Sequence, residues 1–280
     1  MKLNSRLFIS LVFALLLINI LSAQEIKVKV GEVKDSRTTG EFFAELEVQL
    51  IFIGDILENA KSLKCILNTA VDETERDLIK DSERVSEFTD IDADSPGRTT
   101  IPVKLKNPSR KSMTVKEISG EVEIYNPKKD ANSIVTVKNF AKSSGKELSE
   151  KVLKDSDIHV SVLTADQYQE ISEKKKADVD TSGLLGQMIN ALAGMFGNMS
   201  STNPNNIILK VVDVNSNIID IEFLDQSGKK IPHWGKMNMD DIVIYDFENK
   251  LPENAQLRFY LRTDKSLKVI PFVIKDIDLP

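Results

Sequence analysis

Apolar and polar side chains change places at nearly every residue over long stretches of this chain, and that period of two sets the tightest limit on its fold. Ile26, Val28 and Val30 alternate with Lys27, Lys29 and Gly31, the pattern of a strand with one face in a core and the other in solvent. Similar runs lie at Phe42 to Ile53, Leu63 to Leu67, Thr99 to Leu105, Met113 to Tyr125 and Ser133 to Phe140. Turn formers separate them, as in Asp94-Ser95-Pro96-Gly97 and Asn107-Pro108-Ser109. Many short strands at this spacing, with few convincing helices, predict a mainly β chain of antiparallel sandwich sheets rather than an α/β fold.

Asn126-Pro127 through Asn132 closes the first set of strands with a proline, a charge cluster and turn formers. A second set follows at Ile158 to Leu163, Ile207 to Val214, Ile218 to Leu224, Asp241 to Phe247, Gln256 to Arg262 and Leu267 to Ile277. The expectation is two immunoglobulin-like β-sandwich domains, residues 24–127 and 128–280, with a helical insertion at about 164–206 in the second. Thr164 and Gln167 form a capping box, which predicts a polar helix from Ala165 to about Lys176. Beyond it Leu184, Leu185, Met188, Ile189, Leu192, Met195 and Phe196 share one face at helical spacing, with Gln187, Asn190 and Gly194 on the other. A helix from Leu184 to Phe196 is about 20 Å long, short of the roughly 30 Å of a bilayer core. Packing on its own sandwich competes with contact to a partner or a lipid surface.

Lys2 and Arg6, the apolar run Leu7 to Leu21 and then Ser22-Ala23-Gln24 have the order of a secretory signal. Residues 1–23 are expected to direct export to the periplasm or beyond, with a retained N-terminal anchor as the alternative because Leu21 sits where cleavage favours a small residue. The formal net charge of −6 argues against nucleic acid, whose binding needs a basic surface to displace counterions. Cys65 is the single cysteine, so no intramolecular disulfide forms, and its alternation with Lys64 predicts a buried thiol.

Catalytic and metal-binding patterns are sparse. His159 and His233 are the only histidines, neither close in sequence to a second zinc-ligand type. Ser143-Ser144-Gly145-Lys146 lacks the upstream glycine and following hydroxyl of a phosphate loop. No cofactor is expected. Asp90, Asp92 and Asp94 alternate as hard-oxygen ligands do in calcium loops, but Ser95 and Ile101 replace the turn glycine and closing glutamate of an EF-hand. A solvated acidic loop and a weak structural calcium site are the two readings. Trp234, the single tryptophan, lies in Ile231-Pro232-His233-Trp234-Gly235 and is either core or the tip of a ligand-binding loop.

Leu105 to Ile124 and Val269 to Pro280 resemble parts of uncharacterised exported bacterial proteins with paired immunoglobulin-like β-sandwich domains. The resemblance implies fold and compartment and carries no chemistry. The expected function is a non-catalytic binding or structural module that recognises a protein partner at the cell envelope. The alternatives are a lipid-surface or carbohydrate-binding module, including peripheral membrane contact, and then a hydrolase assembled from distant residues. Nothing in the sequence sets an oligomeric state.

Overall fold

The structure is a computed structural model that describes residues 26–37, 44–178 and 205–280. The export segment 1–23 and the apolar face from Leu184 to Phe196 lie outside the described residues. The molecule is mainly β, every ladder between its strands is antiparallel, and two compact units divide it. One unit is the chain up to Lys128 together with Leu267–Pro280; the other is Lys129–Ser266.

In the first unit, β1 (Lys27–Ser36), β2 (Glu45–Ile53), β3 (Ser62–Asp72), β4 (Thr89–Asp90), β5 (Arg98–Leu105) and β6 (Thr114–Tyr125) form two sheets. One has the order β1-β2-β5; the other runs from the closing strand, Leu267–Asp278, through β6 and β3 to β4. The alternation read in the sequence is the alternation of burial. Leu46, Val48, Leu50 and Phe52 of β2 are fully buried, and they share one core with Leu63, Cys65 and Leu67 of β3 and Val122 and Ile124 of β6. Phe52 meets Phe272 of the closing strand edge to face at 5.6 Å, a ring pair that adds about 0.5–1.5 kcal/mol to the area each buries. Pro102 and Pro271 both lie in edge strands, where a missing N–H breaks no ladder.

In the second unit the described elements are β7 (Ile134–Lys138), β8 (Lys146–Glu147), α1 (Lys151–Asp155), β9 (Ile158–Leu163), α2 (Ala165–Asp178), β10 (Ile207–Asp213), β11 (Ile218–Leu224), β12 (Lys230–Ile231), β13 (Gly235–Met239), β14 (Ile242–Asp246) and β15 (Gln256–Leu261). The sheets β13-β14-β10-β9-β8 and β12-β11-β15-β7 enclose a common core around Phe223, Tyr245, Phe247 and Phe259. Helix α2 starts at the predicted capping box: the Gln167 N–H donates to Thr164 Oγ1 at 3.2 Å and the Thr164 N–H to Gln167 Oε1 at 3.1 Å. It was expected to be polar, yet Tyr168 is buried and forms a small cluster with Ile208, Ile242 and Ile244. The helix is thus docked on the sheet by few side chains.

The closing strand is β16 (Leu267–Asp278), and its position departs from the division at 128–280. It pairs with β6 from Leu267 opposite Tyr125 to Asp278 opposite Thr114, so backbone hydrogen bonding returns the chain to the first unit. Sequence periodicity marks it as a strand but does not say which sheet it joins. The second unit is therefore inserted between two strands of the first that are direct neighbours.

Candidate binding surface

The loops of the second unit gather at one end because the strands start and stop in register. Lys138 closes β7 opposite Gln256, which opens β15, and Leu224 closes β11 opposite the same Gln256. Asp246 closes β14 opposite Gly235, which opens β13. Only Pro232, His233 and Trp234 separate β12 in one sheet from β13 in the other, so both sheets present these ends together. The chain enters and leaves the unit at the opposite end, near Ile134 and Leu261.

Trp234 projects from this loop end and is 76 % exposed. Its backbone is nonetheless fixed, because its N–H donates to the Asp246 carbonyl at 2.7 Å and so extends the β13–β14 ladder. His233 anchors the residue before it, with its ring edge to face against Tyr245 at 5.2 Å and Phe247 at 6.5 Å. Desolvation at this contact, reinforced by Lys236 and Lys230, lowers the His233 pKa below its ordinary value and favours the neutral ring. After Trp234 comes Gly235, where an added Cβ would lie 2.9 Å from Asp246 Oδ2. The indole is held out by a backbone that is well tied down on either side.

Lysines lie on the strand ends and turns of the same end. Lys138, Lys142, Lys146, Lys229, Lys236 and Lys250 are exposed, and among the described residues none is paired with a carboxylate. Lys236 stands over the Tyr245 ring at 5.8 Å, while Lys230 is held by Glu222 at 3.1 Å. The nearby carboxylate of Asp225 is committed to its own turn, accepting from the Ser227 N–H at 2.8 Å and the Lys229 N–H at 3.0 Å. Glu248 and Glu253 are the exposed acids of the β14–β15 loop. With Glu147 beside Lys146 and Asp246 opposite Gly235, this end carries both signs of charge in nearly equal number.

Asp90 and Asp92, but not Asp94, line a cleft in the first unit together with Glu58, Lys61 and Pro96. Asp90 pairs with Lys61 at 3.3 Å, and Asp92 Oδ1 accepts from the Asp94 N–H at 2.9 Å in an Asx turn. The three carboxylates are not brought within 4.8 Å of one another. The His159 Nδ1–H donates to Glu147 Oε1 at 2.8 Å, and that hydrogen bond raises its pKa. Cys65 is buried and desolvation pushes its thiol up to about 12, which makes it a poor nucleophile at neutral pH. Among the described residues no helix is long and apolar enough to cross a membrane.

Sequence reasoning named Trp234 but not the lysines and carboxylates of the same end, because they are scattered over more than a hundred positions and only the strand register collects them. A search against known protein families found no family model that matches the chain. No curated protein matches it either.

Proposed function

We propose that this chain is an exported, non-catalytic binding module with two immunoglobulin-like β-sandwich domains, which engages a protein partner at the cell envelope. The observation that carries this reading is the exposure of Trp234 on a backbone held by the β13–β14 ladder. Tryptophan is among the residues most enriched as anchors of protein interfaces, and one presented on a rigid support loses little conformational freedom when it is covered. The resemblance of the β6 and β16 segments to exported paired-sandwich proteins supports the compartment, and so does the order of charged, apolar and small residues in 1–23.

Co-sedimentation of the purified chain with cell envelopes from the source bacterium tests the reading. Wild type is expected in the pellet and Trp234→Ala in the supernatant, at equal melting temperature, and protease treatment of the envelopes should release the wild type. Unchanged sedimentation of Trp234→Ala would remove the proposal. The same exposed indole supports a second reading, stacking on the apolar face of a sugar ring, for which soluble glycans should compete and protease treatment should have no effect.

A further inference from the structure

We infer that the free edge of β7 joins the same edge of a second copy of this chain. The two strands run antiparallel about a two-fold axis through Thr136, so that two four-stranded sheets become one of eight strands. The contact is independent of Trp234 and goes beyond the function proposed for that residue.

The four sheets have eight edge strands among the described residues, and an unpaired edge is a template for another strand unless something blocks it. Seven of the eight are blocked. β4, β8 and β12 are only two residues long. β5 carries Pro102, while β16 carries Pro271 and Asp276, whose φ is 53°. β1 has a register shift between Val30 and Val33 and the three lysines Lys27, Lys29 and Lys34, and β13 opens on Gly235 and Lys236. β7, Ile134-Val135-Thr136-Val137-Lys138, has no proline, no glycine and an unbroken ladder to β15. Its first four residues are β-branched and favour a strand, and its one lysine stands at the end. Among the described residues, no backbone hydrogen bond joins Ile134–Lys138 to anything but β15.

The order of residues in β7 fits its own copy. Residues that face each other across an antiparallel pair lie on the same side of the sheet, and burial along β7 reads the same in both directions. Ile134 and Lys138 are exposed, Val135 and Val137 are buried, and Thr136 is half-buried at the centre. An axis at Thr136 therefore sets Val135 against Val137 twice, which extends the core that both already line. It sets Thr136 against itself on the outer face, where the hydroxyl accepts from Arg258 Nε at 3.4 Å. Apolar and Thr–Thr cross-strand pairs are both favourable. Lys138, the only charge, falls opposite Ile134, so no like charges meet. The same operation about the centre of β1 would set Lys29 against Lys34. A foreign strand would need only to alternate, whereas the mirror symmetry is a requirement of a second copy alone. Because Lys138 closes β7 at the Trp234 end, the antiparallel pair turns two such ends in opposite directions.

Sedimentation equilibrium of the purified chain over a concentration series tests the contact. The expected result is a reversible monomer–dimer equilibrium without larger species, since an isologous contact closes on itself. Position 136 faces its own copy, so Thr136→Glu and Thr136→Lys should each weaken the dimer at least about fivefold. An equimolar mixture of the two variants should associate at least as tightly as wild type. Thr136→Glu places a carboxylate beside Arg258, and its melting temperature under dilute conditions checks that the monomer is intact. Lys138→Glu, opposite Ile134, should leave the dimer unchanged. A chain that stays monomeric up to about 0.1 mM overturns the inference. So does a dimer indifferent to both Thr136 variants, or a mixture no tighter than its components, either of which would put another face on the axis. If the chain is monomeric while Trp234→Ala still abolishes envelope binding, the β7 contact falls and the proposed function stands.

Discussion

Asp72 ties together loops that the strands of the first unit leave apart. Its side chain is fully buried; Oδ1 accepts from the N–H groups of Thr74 at 2.9 Å and Arg76 at 3.1 Å and from the Thr74 hydroxyl at 2.7 Å. Oδ2 accepts from the Ser109 N–H at 2.8 Å and the Ser112 hydroxyl at 3.0 Å. Burial by itself would raise the pKa, but these donors outweigh it and hold the carboxyl well below the usual carboxylate range. A folded pKa below the unfolded one gives stability that is complete above the unfolded value and lost as pH falls through the folded one. Acid titration of stability should therefore show a loss beginning near pH 4, and Asp72→Asn should lack that component. At neutral pH the amide turns an NH2 toward groups that are themselves donors, so Asp72→Asn should cost about 2–4 kcal/mol in denaturant unfolding.

The two histidines offer a second test at this scale, with opposite signs. The Glu147 hydrogen bond raises His159, while desolvation lowers His233. NMR titration should give midpoints on either side of about 6.5, and Glu147→Gln should bring down the upper one alone. Residue identity in the sequence showed neither effect. His159 was legible as a strand residue between Ile158 and Val160, but Glu147 reaches it through the pairing of β8 with β9, a strand too short to register as alternation.

Among the elements, those with several cycles of alternation were readable and those held by a partner were not. β5, β6 and β16 match the predicted runs to within a residue, and β2 ends at the expected Ile53 but starts at Glu45 rather than Phe42. β13 was missed because Gly-Lys-Met-Asn-Met has too few apolar residues to set a period, and its place depends on β14. β3 extends to Asp72, beyond the expected Leu67, because a register shift between Leu67 and Thr69 breaks the period without ending the strand. Gly120 of β6 lies opposite that irregularity, where an added Cβ would come within 2.1 Å of the Ile66 carbonyl oxygen. Backbone cannot yield as a flexible side chain would, so Gly120→Ala should destabilise the first unit by about 1–3 kcal/mol, measured by denaturant unfolding. At the start of α2 the predicted cap is realised in both directions, and Thr164→Ala should cost about 1 kcal/mol. Gln167 also reaches the Gly145 carbonyl at 3.3 Å, so loss of the cap should loosen the β7–β8 connection as well, visible as faster amide exchange there.

At the scale of the whole molecule, the insertion changes what counts as a domain. Sequence reading expected residues 24–127 to fold alone, since their alternation is continuous and a turn-rich segment follows. The ladder between β6 and β16 argues otherwise: β6 has β3 on one side and β16 on the other, and Phe272 and Ile277 of β16 are buried in the same core. A fragment ending at residue 127 would lose those side chains, and the hydrogen-bonding edge of β6 would be open to other chains. Tyr125 and Leu267 are register partners, so the gap bridged by residues 129–266 is no wider than a hairpin turn. Deleting that segment and joining β6 to β16 through a short Asn-Gly turn should give a chain that unfolds in one cooperative transition. The 129–266 piece, with its own core and its ends at one end of the unit, should melt cooperatively as well. Residues 24–127 alone should show no cooperative melt, or should associate through the open edge. A sharp monomeric transition from residues 24–127 by themselves would show that β16 adds to a sheet already complete, and that the insertion is a late addition to the stability of the first unit rather than a division within it.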